Sequence, residues 1–317
     1  MYFCKIIQKQ YGVDYINNQQ SDKIRIDFMN PLRFLRFLLC FLLLWLTDIA
    51  SFAQQDSIRL VQAPWSHDTI SGMVLKTILF QNQEYFNSNQ FIAILEIPGD
   101  SPHWLGFAYD SVRTKTSVLA GRHNAIAAIN GSFFDMDKHN PICHLRIDSI
   151  DIGCNEPGKD TVNRKYYQYG TLVLRDGRPI ILHTDSNRLW ERTLPYREIM
   201  TAGPLLIWNG HDQPMRNDLS FVNKRHNRSA IGIRPDGTVL LLVVDGRTRE
   251  SAGMTLDELI STLRWLGCHD ALNLDGGGST TLYVKGQPHG GIINYPSDNL
   301  RFDHAGERAV SNIIIVR

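Results

Sequence analysis

From residue 71 onward the chain is built of short apolar runs, many of them β-branched, separated by Gly, Asp, Asn and Pro. Residues 72–80 and 91–98 have this character and predict strands, and the wholly apolar run 125–129 predicts a buried one. Residues 171–174 and 179–183 flank Asp176-Gly177, while 229–233 and 238–244 flank Pro235-Asp236-Gly237. Asp-Gly supplies the positive φ of a tight turn, so the spacing predicts two hairpins. Further strands are predicted over 270–274, 280–284 and 308–316. Helical spacing is clear only where Leu256, Leu259, Ile260 and Leu263 make one apolar face. Thr255 and Glu258 have the spacing of a capping box before it, and Gly267 supplies a left-handed stop after it. Between 135 and 168 there is almost no periodicity, which predicts a long surface insertion.

Many strands, few helices and no regular strand–helix alternation predict an α+β fold, a single domain of mostly antiparallel sheet with a few packed helices. Residues 54–70 are polar and read as a loosely attached lead-in. Residues 71–317 carry no Pro/Gly/Ser-rich linker and read as one catalytic domain. Residues 1–53 read as an N-terminal extension and signal peptide. Arg33 and Arg36 precede an uncharged run from Phe37 to Leu46, and Ser51-Phe52-Ala53 has the small-x-small form of a cleavage site. That run falls well short of the ~20 apolar residues of a membrane-spanning helix. The expectation is therefore an exported protein, periplasmic or secreted, with no stable membrane span after cleavage near Gln54.

Composition narrows the classes further. Lys plus Arg is 33 and Asp plus Glu is 32, for a formal net charge of +1, so no basic excess marks a nucleic-acid partner. The five cysteines are too few for a disulfide scaffold. Cys143 and Cys154 could close a small loop in an oxidising compartment. Cys268, at a helix end, reads as a small buried residue. No Cys-x-x-Cys or His-x-x-x-His suggests zinc.

Candidate chemistry gathers at strand ends. Asn130-Gly131-Ser132-Phe133-Phe134-Asp135 follows the buried run, and Asn130, Gly131, Ser132 and Asp135 offer donors, acceptors and a close backbone approach. Arg228 opens a strand and could grip a phosphate through two parallel hydrogen bonds. Asp245 ends the next strand, where partial desolvation suits a working carboxylate. The strongest signal is Asp275-Gly276-Gly277-Gly278-Ser279-Thr280. Three successive glycines are conformationally costly, and such a run can present its N–H groups to an anion. No Gly-Lys-Ser/Thr or Gly-x-Gly-x-x-Gly is present, so neither a P-loop nor a dinucleotide site is expected.

Asn130–Asp135, Ala202-Gly203-Pro204, Arg228-Ser229-Ala230-Ile231-Gly232, Asp245-Gly246-Arg247, the helix over 256–266, Asn273–Thr280 and Glu307–Asn312 occur in one order. In that order they resemble the phosphodiester glycosidase family over roughly residues 71–317. The resemblance implies an enzyme that removes a sugar from a sugar–phosphate–sugar diester and leaves the phosphate on the other partner. It implies a small phosphorylated carbohydrate or surface glycan as partner. Asp245, Asp275 and Glu307 are then the candidate catalytic carboxylates. Arg228 and the glycine N–H groups would stabilise the growing phosphate charge. No cofactor is demanded, although a divalent cation is admissible. Two other readings stay open. One is a non-catalytic binder of phosphorylated glycans. The other is a metal-assisted phosphodiester hydrolase using Asp135, Asp245 and Asp275 as oxygen ligands.

Overall fold

The computed structural model describes residues 54–158 and 164–317, so the signal-peptide reading of 1–53 lies outside the described residues. Every strand pair among named elements of the described residues is antiparallel. They form an eight-stranded, a five-stranded and a four-stranded sheet. In the first, Ser66–Ile70, Met73–Tyr85, Ser88–Ile97, Val239–Val244, Arg228–Ile233, Asp270–Asn273, Leu205–Trp208 and His211–Asp212 lie side by side. In the four-stranded sheet, Ala127–Asn130 lies between Leu282–Val284 and Ala309–Val316, with Leu105–Lys115 outermost. The expected antiparallel α+β architecture is therefore present, with the runs at 125–129, 229–233 and 270–274 in interior strands.

Burial on both faces explains the continuous apolar runs. In Val239–Val244, Leu241 and Val243 enter one cluster, while Leu240, Leu242 and Val244 enter another. The first cluster joins all three sheets through residues such as Leu95, Ile231, Leu172, Met200, Ile129 and Ile314, each 0 % exposed. On the other face of the large sheet, Leu256, Leu259 and Leu263 of the helix Leu256–Trp265 complete the second cluster. That helix has its capping box: Thr255 Oγ1 accepts from Glu258 N at 3.1 Å, and Thr255 N donates to Glu258 Oε2 at 2.9 Å. The helix Thr116–Arg122, which the periodicity did not mark, packs Leu119 and Ala120 against Ala128, Ile313 and Ile315. Both hairpins form, with Asp176 at φ 51° and Gly177 at φ 75° in the first turn and Gly237 at φ 82° in the second.

Two stretches differ from expectation. The lead-in is packed rather than loose. Residues 54–62 are helical, Leu60 is 0 % exposed in the second cluster, and Ser66–Ile70 pairs with Met73–Tyr85. The region 135–168 is partly sheet, with Leu145–Ile147 and Ile150–Gly153 extending the five-stranded sheet. Polar contacts fasten it, and apolar periodicity does not register those. Glu191, fully buried, accepts from Arg164 Nη1 at 2.7 Å, Arg164 Nη2 at 2.8 Å, Thr201 Oγ1 at 2.8 Å, Thr171 Oγ1 at 2.9 Å and Asn155 Nδ2 at 3.0 Å. Burial alone would raise its pKa, but Arg164 and then the Thr201 hydroxyl outweigh that and hold the carboxyl low. Cys143 and Cys154 are free, one buried and the other exposed, so the loop they bound carries no bridge.

Glu191→Ala strands the Arg164 guanidinium without its partner. It should cost about 3–5 kcal/mol, the usual penalty for an unpaired buried charge. Urea unfolding checks this, and a loss below ~1 kcal/mol would show that the contact does not hold the region together.

Candidate active site

Three strand ends meet at one buried amide. Asn130, 0 % exposed at the end of Ala127–Asn130, accepts on Oδ1 from Ser229 Oγ at 2.6 Å and from Thr281 N at 3.1 Å. Its Nδ2 donates to the main-chain oxygen of Asp275 at 2.6 Å. The Asn-Gly motif and the glycine run, 145 residues apart in sequence, are thereby in direct contact. Gly131 N donates to Asn312 O at 3.0 Å, and Asp275 N donates to Gly131 O at 3.0 Å. A Cβ on Gly131 would overlap Asn312 Oδ1, which already accepts from Ser132 N at 2.7 Å. Asn130, Gly131 and Ser132 thus support the site from behind.

The glycine run shows the same close approach. A Cβ on Gly276 would stand 2.6 Å from Asn227 O, one on Gly277 2.8 Å from Arg247 Nη2, and one on Gly278 would collide with Asp298 and Arg308. The anion-nest expectation is corrected for two of the three. Gly276 N donates to Asp275 Oδ1 at 2.9 Å, and Gly277 N to Asn227 O at 3.0 Å. Thr280 Oγ1 is buried without a partner, as is Asn227 Nδ2, leaving polar capacity around the loop unused.

A cleft of about 340 Å³ opens in front of this loop, lined by Asp275, Gly276 and Gly277, with Arg228, Arg247 and Arg308 among the surrounding groups. Asp275 is half-buried, and burial pushes its carboxyl up to about 6 against hydrogen bonds from the Ser279 side chain and Gly276 N and the weaker pull of Arg308 and Arg247. Arg247 is exposed and makes no ion pair among the described residues. Arg308 Nε donates to Asp298 Oδ1 at 2.8 Å. His226 also lines the cleft, its pKa lowered by burial and then by Arg228 and Arg247.

Several sequence-selected residues are committed elsewhere. Arg228 borders the cleft, but its guanidinium is not free to grip a phosphate in the expected way. Nε donates to Met254 O at 2.8 Å, and Nη2 to Phe221 O at 2.8 Å and Lys224 O at 3.1 Å. The residue is 1 % exposed, and desolvation brings its pKa down to about 10, so it is still a cation at neutral pH. Asp245 is 0 % exposed. Its Oδ1 accepts from Asn294 Nδ2 at 2.7 Å and its Oδ2 from Tyr295 N at 2.7 Å. Burial still pushes this carboxyl up to about 7. Glu307 is turned toward the helix Thr116–Arg122, where Ser117 N and Ser117 Oγ each donate to it at 2.7 Å. Asp135 Oδ1 accepts from Asp137 N at 2.8 Å and Lys138 N at 2.9 Å and so stabilises its own turn. Asp135, Asp245 and Asp275 therefore do not form a ligand set, and the described residues hold no group of three or more His, Cys, Asp or Glu able to take a metal ion.

The selection by sequence passed over Phe133, Phe221, His226, Arg247 and Arg308. For Phe133 and the two arginines a signal existed, since each lies inside a segment already marked: Asn130–Asp135, Asp245-Gly246-Arg247 and Glu307–Asn312.

Comparison with known proteins bears on the family and the fold. A family-wide sequence model described as phosphodiester glycosidase matches residues 123–317. N-acetylglucosamine-1-phosphodiester alpha-N-acetylglucosaminidase of Mus musculus is 29 % identical over 145 residues, covering 42 % of this chain and 27 % of that protein. The SPbeta prophage-derived uncharacterized protein YomE of Bacillus subtilis is 39 % identical over 95 residues, 30 % of this chain and 13 % of its own length. The chain thus spans well under half of either relative. Among solved structures, the zebrafish N-acetylglucosamine-1-phosphodiester alpha-N-acetylglucosaminidase catalytic domain auto-inhibited by pro-peptide matches with a TM-score of 0.59 at 17 % identity, covering 80 % of this chain and 88 % of that one. A hypothetical protein from Synechocystis matches with a TM-score of 0.55 at 16 % identity, covering 81 % of this chain and 64 % of that one. Both share the fold.

Two variants test the reassigned residues. Arg228→Ala takes one donor from each of the carbonyls of Met254, Phe221 and Lys224 and should lower stability on the order of 3 kcal/mol or more. Thermal melting reads this directly, and an unchanged melting temperature would return Arg228 to the substrate side. Asp245 holds its proton more tightly folded than unfolded, so its ionisation costs stability as pH climbs from 3.8 through about 7. Denaturant titrations should show a shallower fall in stability over that window for Asp245→Asn. Parallel pH curves for variant and wild type would contradict the assignment.

Proposed function

The chain belongs to the phosphodiester glycosidase family, and on that footing we propose that it hydrolyses the sugar C1–O bond of a sugar-1-phosphodiester, such as an N-acetylglucosamine-1-phospho-sugar, leaving a phosphomonoester. The observation that carries this reading is the placement of Asp275, half-buried in a cleft that Arg247 and Arg308 also line. A phosphodiester carries one negative charge, and its release as a monoester adds more. Arg247, which makes no ion pair among the described residues, and Arg308, shared with Asp298, favour that change. Phosphate leaves readily, so the demand falls on the group at the anomeric carbon. Asp275, ionised above pH ~6, faces the oxocarbenium-like centre or activates the attacking water there. Asn130, Gly131 and the glycine run hold that carboxylate in register, and Arg228 fixes the cleft wall.

The apolar run from Phe37 to Leu46 and the small-x-small triplet at Ser51 support an exported enzyme, periplasmic or secreted. Among the described residues no helix is long and apolar enough to cross a membrane.

Asp275→Asn should lower turnover on the order of 10²–10⁴-fold while the fold persists. Wild-type kcat/KM should rise as pH passes through about 6, where Asp275 ionises. Hydrolysis in oxygen-18 water should label the released sugar. Label in the phosphate would mean P–O cleavage and would overturn the glycosidase reading.

A further inference from the structure

The cleft is lined by two unlike kinds of group. Arg247, Arg308 and Asp275 are charged, and Phe133 and Phe221 are aromatic, with the Arg228 guanidinium 5.1 Å from the centre of the Phe221 ring. Both rings are half-buried, 6.1 Å apart between centroids and nearly edge-on at 70°. Tyr167 packs on Phe133 at 4.8 Å and 36°. The three rings arrive from separate segments: the turn after Ala127–Asn130, the 3₁₀ turn Tyr166–Gln168 and the short helix Ser220–Asn223. Core packing does not account for Phe133. Its neighbour Phe134, 9 % exposed, fills the third core cluster, whereas Phe133 belongs to none of the three. An aromatic side chain kept partly wet, beside a desolvated carboxylate and an unpaired arginine, suits a ligand that is itself two-sided. A pyranose with an anomeric phosphate is such a ligand, because its C–H face is apolar and its phosphate is charged.

We propose that Phe133, flanked by Phe221 and backed by Tyr167, is the platform on which the sugar ring of the substrate lies, with its anomeric phosphate turned toward Arg247 and Arg308. This rests on the glycosidase reading and deepens it, since it assigns the sugar to the aromatic groups and the phosphate to the arginines. Phe133 is then a specificity-determining residue. It favours glycosyl phosphodiesters over phosphodiesters of simple alcohols, which have no ring face to cover it.

The test uses the full protein, with N-acetylglucosamine 1-phosphate and inorganic phosphate titrated separately by calorimetry, alongside steady-state hydrolysis of the diester. Phe133→Leu keeps apolar bulk and removes the ring, while Phe133→Tyr keeps the ring. The Leu variant should bind the sugar phosphate roughly 5- to 10-fold more weakly, the scale of one aromatic contact, with phosphate affinity unchanged. Its KM should rise by a similar factor at nearly constant kcat, and the Tyr variant should restore both. Equal weakening toward both ligands, no weakening, or wild-type protein that binds the sugar phosphate no better than phosphate would overturn the platform. Failure of the activity reading looks different. The wild type would then leave the diester intact while the ligand-selective effect of Phe133→Leu persisted.

Discussion

The amide of Asn130 is the constraint on which the site depends. It belongs to the four-stranded sheet, yet its three hydrogen bonds reach Ser229 in the eight-stranded sheet, Thr281 and the backbone of Asp275. Only a side chain with an acceptor and a donor at one carbon can make that set, and burial excludes water as a substitute. Aspartate in its place would lose the donor and bury a charge. The two sheets are therefore locked at the point where Asp275 leaves its strand. Asp275 takes its position from the sheets on either side and from the glycine loop that carries it, whose Gly276 N donates to its Oδ1 at 2.9 Å.

Hydrogen bonding separates groups that composition treats as alike. Asp245 and Asp275 both follow apolar strands, and burial raises both. Asp245 has both oxygens committed to residues 294 and 295, so it fastens that segment. Asp275 accepts from Gly276 N on Oδ1 and from the Ser279 side chain, and still faces the cleft. The arginines divide in the same way. Arg228 is consumed by main-chain carbonyls, while Arg247 stays exposed beside the glycine loop.

Much of the frame was legible because its signals are local. Asp176-Gly177 marks a turn by itself, and Thr255 with Glu258 marks a helix start by itself. The triple glycine was rightly singled out as unusual, although the reason proved to be room for Asn227, Arg247, Asp298 and Arg308 more than a nest of free N–H groups. What escaped reading was long-range polar pairing. Nothing near Arg164 announces Glu191, and nothing near Asn130 announces Ser229. Arg228 and Arg247 lie at adjoining strand ends, since Arg228 pairs with Val244. Which of them faces the cleft depends on the carbonyls of Phe221, Lys224 and Met254, and those positions are fixed only once the chain has folded.

The buried cation at Arg228 has an electrostatic consequence of its own. Dissolved ions collect around charges in contact with water and weaken their field within about 10 Å at 0.1 M salt, but they do so much less for a charge sealed in protein. Arg228, 1 % exposed and bonded to carbonyls that do not neutralise it, contributes a steady positive potential behind the cleft. Arg247, open to solvent, contributes one that fades as ionic strength rises. The pull on an anionic ligand is thus split into a component that follows the salinity outside and a component set by the fold. In brine the cleft would keep the second after losing most of the first.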